Sequence, residues 1–542
     1  MKFSVLFSLI MSSVLVVAAI PKFAEPNIEA PKGGNFVRSI RGEPPTVHPI
    51  MSTDVYASRV HDLTLDSLLE RKATDWEWAP RLAEKWEISK DGKVFTFTLR
   101  KNATWHDGKP VTAEDVKFSF EAVFEPKYQA AHLIPFLQSI EKMEVVDTHT
   151  IKAYAKEKYY KNFDVVASMS IIPKHVYSDV EKSRKMTRTL VGSGPYMLSK
   201  FDRGQKIILK RNPNWAPAQD AYFKGAYNFE TIDFRFYKDE NIEIERAKKG
   251  ELDMIDLSAE SFTKKTSGGP WDKTLLKKKI ENDAPKPYSF IGWNFRRDLF
   301  QDKNVRVALA HLMNREEINK KFMYGFSELA TGPTFNRSEF ASPNIKPLLF
   351  DTKKAQELLA ASGWSDSDKD GTLDKEVKGQ KVPFKFTMIY PNKDTEKYWT
   401  LYQQDLKKAG INMELKYLEW NSFLKLIDEG NFDAATLAWG ASDIDWDPKQ
   451  IWHSSSAVVG GSNFINYKST EVDKLIDEAR LTLDKKKRVQ LLQKVYEIVA
   501  NDAPYVFLFN SKYGFYAHAK SIGMPGDTLR YNTGLNFWWK QK

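Results

Sequence analysis

The segment Trp86-Glu87-Ile88-Ser89-Lys90-Asp91-Gly92-Lys93-Val94-Phe95-Thr96-Phe97-Thr98-Leu99-Arg100, followed by Trp105-His106-Asp107-Gly108-Lys109-Pro110-Val111-Thr112-Ala113-Glu114-Asp115-Val116, decides the fold. From Lys93 to Leu99 apolar and polar residues alternate, with β-branched and aromatic content, so one face can be buried while the other stays polar. Lys90-Asp91-Gly92 ahead of it supplies the Asp-Gly pair that suits a tight turn, and a hairpin is expected. Thr112 then offers a hydroxyl N-cap with an acid three residues on, Asp115, ahead of Val116, Phe118 and Phe120. A helix starting at Thr112 follows.

The same alternation of strand and helix continues outward. Val472, Leu475, Ile476 and Ala479 recur at helical spacing, as do Val489, Leu492, Val495, Tyr496 and Val499, so two amphipathic helices precede Asn501-Asp502-Ala503-Pro504. Tyr505-Val506-Phe507-Leu508-Phe509 is a short apolar run of strand-like residues, expected to carry the chain back into another sheet. With no internal repeat, 542 residues argue for several mixed α/β or α+β units. A hydrophobic share of 42% with 28% charged residues is that of a globular chain and excludes disorder. The net charge of +10 is spread along the sequence and interleaved with acids, so no nucleic acid is implied. Zero cysteines exclude disulfides, thiolate catalysis, Cys-ligated zinc and a lipidated N-terminal cysteine.

Lys2, the apolar stretch from Phe3 to Val17, and the small residues Ala18 and Ala19 read as a cleavable signal peptide over 1–19. The run is shorter than the roughly 20 residues a membrane span needs, and serines interrupt it. The mature chain is expected outside the cytoplasm. With no cysteine to lipidate, the periplasm of a double-membraned bacterium is the expected address, without a lipid anchor.

Catalytic signatures are missing. The histidines, among them His48, His106, His175, His311 and His453, form no His-Glu-x-x-His pair. Gly192-Ser193-Gly194-Pro195 lacks nucleophile-elbow spacing, and its proline would obstruct a following helix, so a turn is expected. No Walker loop or dinucleotide fingerprint is present. Two carboxylates close in space, as in a glycosidase, remain open at this level. The expectation is a protein that is not an enzyme.

The stretch from Trp86 to Val116 closely resembles the signature of the oligopeptide/dipeptide-binding family of solute-binding proteins that serve ABC importers. Further matches run in family order: Gly192 to Tyr196, Arg211 to Trp215, Gly250 to Asp253, Val305 to Leu309, and Trp439 with Asp447-Pro448 before Ile451. Most of these residues also read as turn chemistry or, for Trp86 and Trp105, as packing anchors. The resemblance implies a mixed α/β, two-lobed clamp of the type II periplasmic-binding-protein kind, closing by hinge bending. It implies lobe I at 20–55, 188–285 and 510–542, an extra subdomain at 56–187, and lobe II at 286–509. Pro285 and Pro287 suit a linker before a crossing strand at Tyr288. The partners implied are a peptide ligand and the importer's membrane permease, the chain itself being a monomer.

A peptide's ammonium calls for a buried acid, and its backbone for strand-like pairing. By resemblance the acid lies between Trp439 and Pro448; the spacing falls between Asp443 and Asp445, with Asp447 a third candidate, while Trp439 and Gly440 come with the motif. Val55 is carried over for pairing to the ligand backbone. The readings held against this are a solvated or helix-capping role for each aspartate, an oligosaccharide ligand on the same fold, and an exported hydrolase. No cofactor is required. Asp366, Asp368, Asp370, Thr372 and Asp374, with Gly371 at the sixth position, follow the oxygen-ligand order of a calcium loop. Val377 stands where the bidentate glutamate should be, so a structural calcium is set against a solvated acidic turn.

Overall fold

The computed structural model describes residues 23–541 apart from 53, 131, 378, 441 and 442, so the signal-peptide expectation lies outside the described residues. Ala83–Ile88 and Val94–Leu99 pair as the expected antiparallel hairpin. At its turn Gly92 has φ +70°, and the Asp91 carboxylate accepts the Lys93 N–H at 3.1 Å. Phe95, Phe97 and Leu99 are buried, and Thr150–Ala155 and Ile140–Asp147 extend the pair to four strands. Helix α2, Ala113–Phe124, begins where the cap predicts: the Asp115 carboxylate accepts the Thr112 N–H at 2.9 Å. Two other helices flank this unit's wall, α1 (Val55–Thr64) before it and, after the sheet, α4 (Asn162–Ser168), with the short α3 (Ile134–Leu137) between α2 and α4.

The motif segments are packing devices. His106 accepts the Gly192 N–H on Nδ1 at 3.2 Å and meets the Gly194 carbonyl through Nε2 at 3.1 Å. A Cβ at Gly192 would stand 1.9 Å from the Thr64 carbonyl oxygen, so glycine there lets two backbones touch. Trp105 is 2% exposed within the core.

Two larger sheets carry the rest. One has seven strands, with Asn35–Ile40 parallel to both Thr231–Phe236 and Met254–Asp256, and its other pairings antiparallel. The other has six, with Tyr288–Trp293 central and antiparallel to Ala434–Trp439 and Tyr505–Ser511. The chain leaves the first sheet after Ile280, enters the second at Tyr288, and returns between Ser511 and Gly514. Tyr505–Ser511 thus stays in the six-stranded sheet, and Gly514–Ala519 makes the return. Residues Tyr505 to Asn510 are all buried, the mark of a strand covered on both faces, which is why the run reads as apolar throughout. Thr470–Leu481 and Lys485–Asp502 pair as two helices, burying Val472, Ile476, Ala479, Leu492, Val495, Tyr496 and Val499. No helix of the described residues is long and apolar enough to cross a membrane.

Candidate functional site

A cavity of about 780 Å³ opens between the four-stranded unit and the loop after Trp439. Its polar lining includes Asp62 of α1, Glu70 and Arg71 of the strand Leu69–Arg71, Lys161 and Asp164 at the start of α4, and Asp443 and Asp445 from the far side. Trp76 and Trp78 stand beside them, and Val123, Leu133, Phe136, Leu137, Val165 and Met169 form an apolar wall. A second space of about 350 Å³, lined by Tyr159, Tyr160, Arg488 and Asp445, adjoins it and shares Arg71, Trp76 and Asp164.

Three residues between Thr150–Ala155 and α4 tie the two sides together. The Tyr159 hydroxyl donates to Asp447 at 2.7 Å, the Tyr160 hydroxyl to the Trp446 carbonyl at 2.9 Å, and the Lys161 ammonium to Asp443 at 2.7 Å. The Arg480 guanidinium lies over the Tyr159 ring at 4.0 Å and that of Arg488 over Tyr160 at 4.1 Å. Burial, joined by the neighbouring Asp447 charge, pushes both phenols far above their ordinary range, so they stay neutral donors.

The three candidate aspartates differ sharply. Asp447 pairs with Arg480, accepts the Tyr159 hydroxyl and the Lys449 N–H, and does not line the large cavity. Asp445 is 14% exposed and sits 3.5 Å from Arg488, which also donates to the Thr482 and Leu483 carbonyls. Asp443 is 75% exposed and pairs with the ammonium of Lys161, whose side chain is 16% exposed. Trp439 closes the strand Ala434–Trp439, stacked on Phe290 and donating to the Tyr505 hydroxyl at 3.4 Å, and does not line the cavity. A Cβ at Gly440 would meet nothing within 4 Å. Val55 is the first residue of α1, 63% exposed, behind its N-cap Asp54; Ser52 and Ser58 on either side reach the cavity, and Val55 does not.

The lining was otherwise unmarked in the sequence. Burial raises the carboxyl pKa of Asp62, Glu70 and Asp164, outweighing the pull of Arg81 on the first two and of Arg71 on the third. Among the described residues Asp62 makes no ion pair, although Arg81 and Arg59 draw on it from further off. Glu70 pairs with Arg81 at 3.2 Å and Asp164 with Arg71 at 2.8 Å, which leaves Asp62, exposed at the cavity, as the carboxylate of these three most open to a cation.

The acidic loop lies elsewhere. Carboxylate oxygens of Asp366, Asp368 and Asp374 come within 4.8 Å of one another, but Asp370 is outside the group, and Thr372 donates its N–H to Asp370 at 2.7 Å. The Lys381 ammonium pairs with Asp368 and, at 3.2 Å, with Asp374, while Asp366 accepts the N–H groups of Asp370 and Gly371, each at 3.1 Å. A lysine thus takes the cation's part, and the arrangement gives calcium no support.

Residues 77–461 match the model of the bacterial extracellular solute-binding proteins, family 5. The chain is 30% identical to the oligopeptide-binding protein AppA of Bacillus subtilis over 93% of each chain. The solved structure of AppA from Bacillus subtilis in complex with a nonapeptide is similar over 95% of this chain and 100% of that one, at 26% identity and a TM-score of 0.71. DppA of Helicobacter pylori in complex with the peptide STSA shares the fold over 94% of this chain and 99% of its own, at 24% identity and a TM-score of 0.73. The architecture is the mixed α/β one of type II periplasmic binding proteins.

Proposed function

The chain belongs to the bacterial extracellular solute-binding proteins of family 5, and from that premise we propose that it captures peptides in the cavity between its two sides and delivers them to the membrane permease of an ABC importer. The observation that carries this is the cavity itself: the carboxylates of Asp62, Glu70 and Asp164 face Asp443 and Asp445 across one space large enough for a short peptide. Asp443 receives the ligand ammonium, because it alone of the three candidates is both exposed to the cavity and free of an arginine. The seven-stranded sheet belongs to lobe I and the six-stranded sheet to lobe II, with hinges at 281–287 and 512–513. The protein works as a monomer in the periplasm and needs no cofactor.

The sugar reading draws on Trp76 and Trp78, but Arg71 already lies over the Trp78 ring at 3.9 Å and Phe163 meets it edge-on. Calorimetry with free-amino peptides, their N-acetylated forms and cello-oligosaccharides tests the assignment. Binding of free-amino peptides alone is expected; binding of sugars alone, or indifference to acetylation, contradicts it.

A further inference from the structure

The large cavity has two chemically distinct ends, and α4 joins them. Lys161, its N-cap, and Asp164 belong to the charged end, whereas Val165 and Met169 belong to the other. There α3 packs on both α2 and α4, and Val123, Leu133, Phe136 and Leu137 complete an apolar wall. Phe136 is 67% exposed, although a phenylalanine ordinarily contributes to a core. Ser119, Ser168, Ser170 and His132 are among the polar groups of the same lining.

We propose that this end is a side-chain pocket that selects peptides with a bulky apolar third residue, an inference that rests on the peptide reading above. The register follows from two rises. A helix advances about 1.5 Å per residue, so Val165 and Met169 lie about 6 and 12 Å along α4 from Lys161. An extended peptide advances about 3.4 Å per residue, so its third residue lies about 7 Å beyond an ammonium held at Asp443, the ion partner of Lys161. Side chains of residues two and three of an extended chain point to opposite faces, so a wall that meets the third side chain does not meet the second. An aspartate at the third position would be stripped of water against apolar carbon and is rejected.

The test is calorimetry of the full chain with Ala-Ala-Phe-Ala, Ala-Ala-Ala-Ala, Ala-Ala-Asp-Ala and Ala-Phe-Ala-Ala. The phenylalanine in third place is expected to bind about tenfold or more tighter than alanine, on the scale of hydrophobic-pocket discrimination. The same residue in second place should gain little, and aspartate should lose affinity. Phe136→Ala should remove most of the preference for phenylalanine over alanine in third place, and Phe136→Leu should restore part of it. Because Phe136 is exposed, neither change threatens the fold. Equal affinity for the phenylalanine and alanine peptides, or a preference that survives Phe136→Ala, overturns the proposal and leaves the peptide reading standing. Failure of every peptide to bind removes both.

Discussion

The Trp86 to Val116 region and the contact between Tyr159–Lys161 and Asp443–Asp447 make opposite use of their residues. The first is dense in recognisable sequence, and nearly all of it is spent on packing: Trp105 is buried, His106 bridges to Gly192 and Gly194, and Asp115 caps a helix. The second has no local signature, yet it brings together lysine, tyrosines, arginines and aspartates at the mouth of the cavity. Residues that identify the fold and residues gathered at the cavity are therefore separable here, and substitutions in the two regions should fail in different assays.

Trp105→Ala should give the largest effect, a loss of about 3–5 kcal/mol in unfolding free energy by chemical denaturation, with peptide affinity of the folded fraction unchanged. Affinity lost in proportion to stability would erase the separation. Asp443→Ala should do the reverse: stability within about 0.5 kcal/mol of the parent, and free-amino peptide binding weaker by about 2–5 kcal/mol in calorimetry. Asp445→Ala should instead register in the melting curve, since it leaves the Arg488 guanidinium, 6% exposed, without its carboxylate.

Lys161→Met gives a smaller test. In the structure its ammonium sits on the carboxylate we assign to the ligand, so its removal should tighten free-amino peptide binding by up to about 1 kcal/mol and leave N-acetylated peptides unaffected. Weaker binding in this variant would mean that Lys161 holds the ligand rather than its place.

The smallest effect is in pH. Asp62, Glu70 and Asp164 have folded-state pKa values raised above those of the unfolded chain, so the folded protein holds more protons in that window. Their contribution to stability rises as pH falls through the raised values, while their attraction for an ammonium declines. The preference for free-amino over N-acetylated peptide should therefore shrink as pH falls from neutrality toward the ordinary carboxylate range of about 4. A preference constant across that interval would put the amine beyond the reach of these three groups.

What the sequence made legible was local. The Asp91-Gly92 turn, the Thr112 cap and the spacing of Val472, Ile476 and Ala479 each act within a few residues, and each appears where expected. The carry-over to Asp443 and Asp445 reached the cavity because the loop after Trp439 is itself local. Lys161 and Asp443 are 282 positions apart, and no periodicity or cap couples them. The acidic loop shows the same limit from the other side: its ligand order was readable, but the lysine that answers it comes from the following hairpin, at Lys381.

Gly514–Ala519 lies between Leu275–Ile280 and Met254–Asp256 and pairs antiparallel with each. On a ribosome adding about 5–20 residues per second, the strand ending at Ile280 waits about 10–50 s for the partner beginning at Gly514. Until then Leu275–Ile280, the edge strand of one large sheet, has no neighbour to pair with, and the other sheet lacks Tyr505–Ser511 beside Tyr288–Trp293. Each of the two large sheets therefore takes one of its strands from the last 40 residues, and synthesis, not local pairing, sets when either can be completed.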